Sequence, residues 1–173
     1  MSLDAPLFSA IPNDTARVAN SAFPKGNRYL QLRDTFGQVF VSSEFRHLFH
    51  PEGRPAQDPA RLAMITILQF AERLSDEQPA NAVRGRIDWK YLLALPLEDA
   101  GFDASVLSEF RTRLLEGQAE HLLFETVLTT FRDAGLLRIR GSQRTDSTHV
   151  LAAVRALNRL ECVGTTLRHA LNS

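Results

Sequence analysis

The sequence predicts a mainly α-helical fold: a multi-helix bundle with room for a helix-turn-helix pair, followed by one short β-strand that opens a second domain. Three observations predict it. Apolar residues recur three and four apart through most segments between Tyr29 and Ala134. Helix start and stop signals bracket those segments, among them Asp58-Pro59, Gly117 and Gly135. At Leu136 the pattern changes to short alternation, with Ile139, Thr145, Thr148 and Val150 suiting a strand. The expected organisation is an arm over 1–28, a helical domain over 29–135 and the start of another domain over 136–173.

The arm is a Pro-, Ser- and Asn-containing stretch with scattered apolar residues such as Leu7, Ile11, Val18 and Phe23. Tyr29, Leu32 and Phe36 then mark a short helix closed by Gly37, and Phe45, Leu48 and Phe49 mark a second one after Ser42. Pro51, Gly53, Pro55 and Pro59 punctuate a loop, from which Asp58 caps a helix with Pro59 at its first position. On a helical wheel that helix puts Met64, Ile67, Leu68, Ala71 and Leu74 opposite a polar arc of Arg61, Thr66, Gln69, Glu72 and Arg73. It is the expected central helix. Ser75 to Gln78 has the form of a capping box, although Pro79 would remove an early backbone bond. Ile87, Trp89, Tyr91, Leu92 and Leu93 form an apolar cluster ending at Pro96. Helices over Ser105–Leu115 and Glu120–Ala134 complete the domain, with Gly135 in a left-handed cap.

Twenty basic residues balance twenty acidic ones, so the whole chain lacks the basic footprint of a nucleic-acid binder, and only local clusters can carry one. Arg84, Arg86 and Lys90 gather near Trp89, and with Arg54 and Arg61 they are the candidates for phosphate contacts. The competing reading is a solvated face balanced by Asp76, Glu77 and Asp88. Trp89 itself reads as a core anchor. Farther on, Arg138, Arg140, Arg144, Arg155 and Arg159 surround a single acid, Asp146. Arg111 and Arg113 project about 200° apart on a helix, so they cannot share one groove. His47 and His50 lack the further ligands that zinc requires. The lone Cys162 reads as a small core residue, and the N-terminus has Asp4, Pro6 and Pro12 where an export signal would be basic and apolar. A cytoplasmic location is expected, with no membrane partner.

The run Gly53-Arg54-Pro55-Ala56-Gln57-Asp58-Pro59, the apolar helix after it, Leu74-Ser75-Asp76, the segment Trp89 to Pro96, and Phe110-Arg111-Thr112-Arg113-Leu114 resemble, in order and spacing, the InsH-like N-terminal domain of insertion-sequence transposases. Downstream, Arg144-Thr145-Asp146-Ser147-Thr148-His149-Val150 is similar to the first catalytic strand of the DDE transposases, which have a ribonuclease-H-like catalytic domain. The resemblance implies that Asp146 is the first catalytic aspartate and a ligand of Mg²⁺. It implies also that Arg144 joins the DNA-contacting set, and that the DNA is the terminal inverted repeats of a transposon. A second aspartate and a glutamate would come from chain beyond Ser173, so residues 1–173 alone are expected not to cleave DNA. Two divalent ions normally need several carboxylates. Partners implied are further copies of the chain or the full-length transposase. The rival reading is a non-catalytic helical interaction module that pairs with intact transposase and regulates it.

Overall fold

The computed structural model describes residues 10–49 and 57–135. Among them lie seven α-helices, one 3-10 helix and no strand, so the fold is mainly α as predicted. The helices are α1 (Asn13–Ala22), α2 (Arg28–Phe36), α3 (Pro59–Glu72), α4 (Gln78–Gly85), α5 (Ile87–Leu92), α6 (Ala104–Glu116) and α7 (Glu120–Asp133), with the 3-10 helix at Ser42–Leu48. The expected strand, Arg54, Arg144 and Asp146 lie outside the described residues.

The axis of the bundle is α3. The Asp58 carboxylate accepts from the Ala60 N–H at 3.1 Å, and Pro59 occupies the first turn, where its missing N–H leaves no bond unmade. The helix ends at Arg73, whose φ of 57° is left-handed, and Leu74 N–H closes the turn on Gln69 O at 2.9 Å. Ile65, Leu68 and their apolar neighbours are buried, each contributing about 1.5–3 kcal/mol. The polar arc is also covered in part. Thr66 and Gln69, placed on the polar arc, are only 1% and 5% exposed, because that arc faces other helices. Thr66 satisfies its hydroxyl on Leu62 O at 2.8 Å, and Gln69 is held by Asp76 and Arg111.

The N-terminal region also departs from expectation. Residues 13–22 of the supposed arm are helical and pack on α5. Thr15 and Ala19, one turn apart and both fully buried, let the two backbones approach, and the Thr15 hydroxyl donates to Leu95 O at 2.8 Å. Ala19, Leu30 and Tyr91 form a small second core there, flanked by Ile11, Ala16, Phe23 and Ile87. Small and polar residues along α1 conceal this face from an apolar-periodicity search.

Pro79 falls in the first turn of α4, one residue after its start at Gln78, where a missing N–H breaks no helical bond. The capping box is half realised. Gln78 Oε1 accepts from Ser75 N–H at 2.7 Å, while Asp76 is drawn to Arg111. Trp89 is fully buried, as a core anchor should be. Between 74 and 114 the connectors are 73–77, the single residue Arg86, and 93–103, and none is the three- or four-residue turn of a helix-turn-helix pair. Asp103 caps α6 through the Ser105 N–H at 2.9 Å. At its other end Gly117 leaves room for Leu48, since a Cβ there would lie 2.3 Å from Leu48 Cδ2. The last helix, α7, adds Leu123, Val127 and Phe131 to the core, and Phe131 meets Phe36 at 5.4 Å.

Candidate nucleic-acid interface

The densest polar constellation joins the start of α2, the end of α3 and the start of α5. Asn27 caps α2 by accepting from the Tyr29 N–H at 2.8 Å, which sets the Tyr29 ring against Glu72. The Tyr29 hydroxyl donates to Glu72. Arg86, the single residue between α4 and α5, donates from Nη1 to Glu72 Oε2 at 2.5 Å. Its Nε and Nη2 form a fork on the two oxygens of Asp88, at 3.1 and 2.8 Å. The same guanidinium lies 5.0 Å from the Trp89 ring and 5.4 Å from the Tyr29 ring. On the outer side, Arg28 Nη2 stands 3.5 Å from Glu72 Oε1, with its guanidinium 4.8 Å from the Tyr29 ring centre.

The electrostatics follow from this geometry. Burial alone would raise the Glu72 carboxyl, but hydrogen bonds from Arg86 and Tyr29 outweigh it and hold the group below the usual range. The Tyr29 phenol is pushed up, first by burial and then by its bond to Glu72. Burial works against the Arg86 charge, yet Asp88 and Glu72 more than offset it. Arg28 and Arg86 thus balance Glu72 and Asp88. Lys25 and Arg73, both exposed and flanking the cluster in sequence, have no acid set against them among the described residues.

The described members of the sequence-predicted phosphate set, Arg61, Arg84, Arg86 and Lys90, do not present a common face. Arg86 sits in the cluster just described, with all three guanidinium nitrogens engaged. Lys90 is 4% exposed and its ammonium donates to Asp99 O at 2.6 Å, so it anchors a loop from inside and is not presented to a phosphate. Arg84 is exposed but holds Ala100 O at 3.0 Å and Asn81 Oδ1 at 3.3 Å. Arg61 lies near the opposite end of α3, 3.8 Å from Asp58 and about 16 Å from Glu72 along the helix. The cations that the structure sets beside the Glu72 cluster, and that the sequence reading did not single out, are Lys25, Arg28 and Arg73. The first two were assigned to the arm, although they flank Asn27, whose capping role was a readable signal.

Arg111 and Arg113 diverge as their spacing requires. Arg111 reaches Gln69 Oε1 at 2.9 Å and Asp76 Oδ1 at 2.8 Å, whereas Arg113 lies 4.0 Å from Glu109 and stacks over Phe49. An open groove between the 3-10 helix and α6, lined by His47, Glu109, Arg113 and Glu116 among others, mixes both signs of charge. Among the described residues no group of three or more His, Cys, Asp or Glu converges as metal ligands would. No described helix is long and apolar enough to cross a membrane.

A family model described as Transposase domain (DUF772) matches residues 17–113, more than half of the chain. The chain belongs to this transposase domain family. The matched span starts within α1 and ends within α6. The transposase domain therefore includes every residue of the Glu72–Arg86 cluster, while α7 follows it. Neither the curated proteins nor the solved structures provide a match.

Proposed function

We propose that the helical domain binds the terminal inverted repeats of an insertion sequence, and that Asp146 contributes the first carboxylate of a DDE active site. The observation that carries this reading is the family match over residues 17–113, followed in sequence by the Arg144–Val150 motif. Transposition requires protein to grip transposon ends and to hold the reacting phosphodiester near metal-binding acids. A bound Mg²⁺ pair would supply activation of the attacking oxygen and stabilisation of the leaving one. Asp146 lies outside the described residues, so the metal reading rests on its place in the motif. One carboxylate does not hold such a pair, and residues 1–173 are expected to bind repeat DNA without cutting it.

A mobility-shift titration with terminal-repeat duplex at low salt tests the first half. Binding that weakens steeply as salt rises supports it. Absence of binding, together with co-purification with intact transposase, replaces it with a regulatory interaction module. Magnesium-dependent nicking by the purified chain that survives Asp146→Ala would refute the second half.

A further inference from the structure

We propose that the end of the bundle where α2 begins and α3 ends contacts the phosphate backbone of duplex DNA through Lys25, Arg28 and Arg73. This deepens the DNA-binding reading above and rests on it. Arg28 combines fixation with access. Its guanidinium is held 3.5 Å from Glu72 and 4.8 Å over Tyr29, yet the side chain is 39% exposed. A planar fork fixed in advance loses little rotamer freedom when a phosphate arrives. Arg86 is the positioning residue, because it fixes the Glu72 carboxylate against which Arg28 is set.

The charge pattern points the same way. Arg28 occupies the first position of α2, whose first turn carries no acid, and Lys25 stands just before it. Two cations at the positive end of a helix are locally unfavourable for the free protein and favourable once an anion sits there. Arg73 adds a third observation. It is exposed, and it holds a left-handed backbone, φ 57°, in which glycine is the less strained choice. Toward the opposite end of α3, Arg61 lies 3.8 Å from Asp58, an acid of its own.

The test compares the 173-residue chain with a Lys25→Gln/Arg28→Gln/Arg73→Gln variant in salt titrations of repeat-duplex binding. The variant should bind about tenfold or more weakly at low salt, and its log–log salt slope should be shallower by about 3. Because Arg28 touches Glu72, a Lys25→Gln/Arg73→Gln variant, which leaves the cluster intact, is measured beside it and should lose about 2 from the slope. Arg46→Gln/Arg132→Gln removes exposed cations outside this end and should leave the slope unchanged. If the unaltered chain fails to bind, the DNA-binding reading itself falls. If it binds, but the double variant matches it while Arg46→Gln/Arg132→Gln weakens binding, this assignment alone is overturned.

Discussion

The two ends of α3 solve the same problem in different ways. At the Asp58 end the helix is closed by a local device, a capping carboxylate with Pro59 that has one cation, Arg61, 3.8 Å away, and the bundle is filled by rings, Phe36 on Phe131 and Phe40 on Phe45 on Phe110. At the Glu72 end three helices are tied by ions, with two arginines and two carboxylates gathered around Tyr29 and Trp89. Apolar packing is indifferent to an approaching anion. An ionic clamp with cations on its rim is not, and on the reading proposed above this difference leaves support of the fold to one end and DNA contact to the other.

The largest expected effect tests whether the ionic end also holds the fold together. Arg86→Met leaves Glu72 and Asp88, whose side chains are 12% and 10% exposed, without their shared cation. Breaking such a partly buried pair should destabilise the domain by about 3 kcal/mol. Asp58→Ala removes the cap together with the carboxylate's bond from Ser42 and its contact with Arg61, and should cost about 1–2 kcal/mol. Urea unfolding of the two variants measures the contrast, and equal losses would erase it.

A pH series sharpens the same contrast. Glu72 and Asp76 both have folded-state pKa values held below their ordinary ones, Asp76 chiefly by its bond from Arg111. Their stabilising contribution is complete above the ordinary carboxyl range and is lost as pH falls through the depressed values. Acid should therefore loosen the Glu72 end, and Arg86→Met should flatten the Glu72 share of that loss. On the alkaline side, burial and the bond to Asp34 raise the Tyr91 phenol to about 12. That contribution is present below the ordinary value of 10 and disappears as pH rises from 10 through about 12. The thermal midpoint of Tyr91→Phe should depend less on pH over this interval than that of the unaltered chain.

A smaller effect probes the second core, which touches α5 from the other side. Thr15→Val leaves the Leu95 carbonyl without its hydroxyl donor and should cost about 1–2 kcal/mol. Amide exchange should show α1 opening before α3 in this variant. If α3 exchanges equally fast, the two cores form one cooperative unit.

Periodic apolar residues and sharp caps made α2, α3, α6 and α7 readable in the sequence, because these elements bury a stripe whose spacing is local information. The first helix was not readable, since its fully buried residues are only Thr15 and Ala19 and its partners, α5 and the Leu95 carbonyl, lie some seventy to eighty residues away. The same limit applies to the candidate interface. Clustering in sequence favoured Arg84, Arg86 and Lys90, but a lysine four residues beyond an arginine was drawn inward to Asp99 while Arg86 was taken by two acids. Arg28 comes from a segment more than forty residues before Glu72, and only the folded chain sets it against that carboxylate, to which Arg73 is the next residue in sequence.

The smallest stability effect has the most discriminating sign. Arg73→Gly relieves a left-handed conformation and removes no ion pair seen among the described residues, so it should stabilise the fold by about 0.5–1 kcal/mol. The same change deletes one of the three cations assigned to phosphate, and should reduce the salt slope of DNA binding by about 1. Gln118, which ends α6 with φ 51°, supplies the comparison: Gln118→Gly should stabilise to a similar degree and leave DNA binding untouched. Opposite signs at Arg73, against a single sign at Gln118, would show that an arginine is kept at the end of α3 for what it touches outside the protein. If Arg73→Gly bound DNA as well as Gln118→Gly does, the cation at that helix end would have no part in recognition.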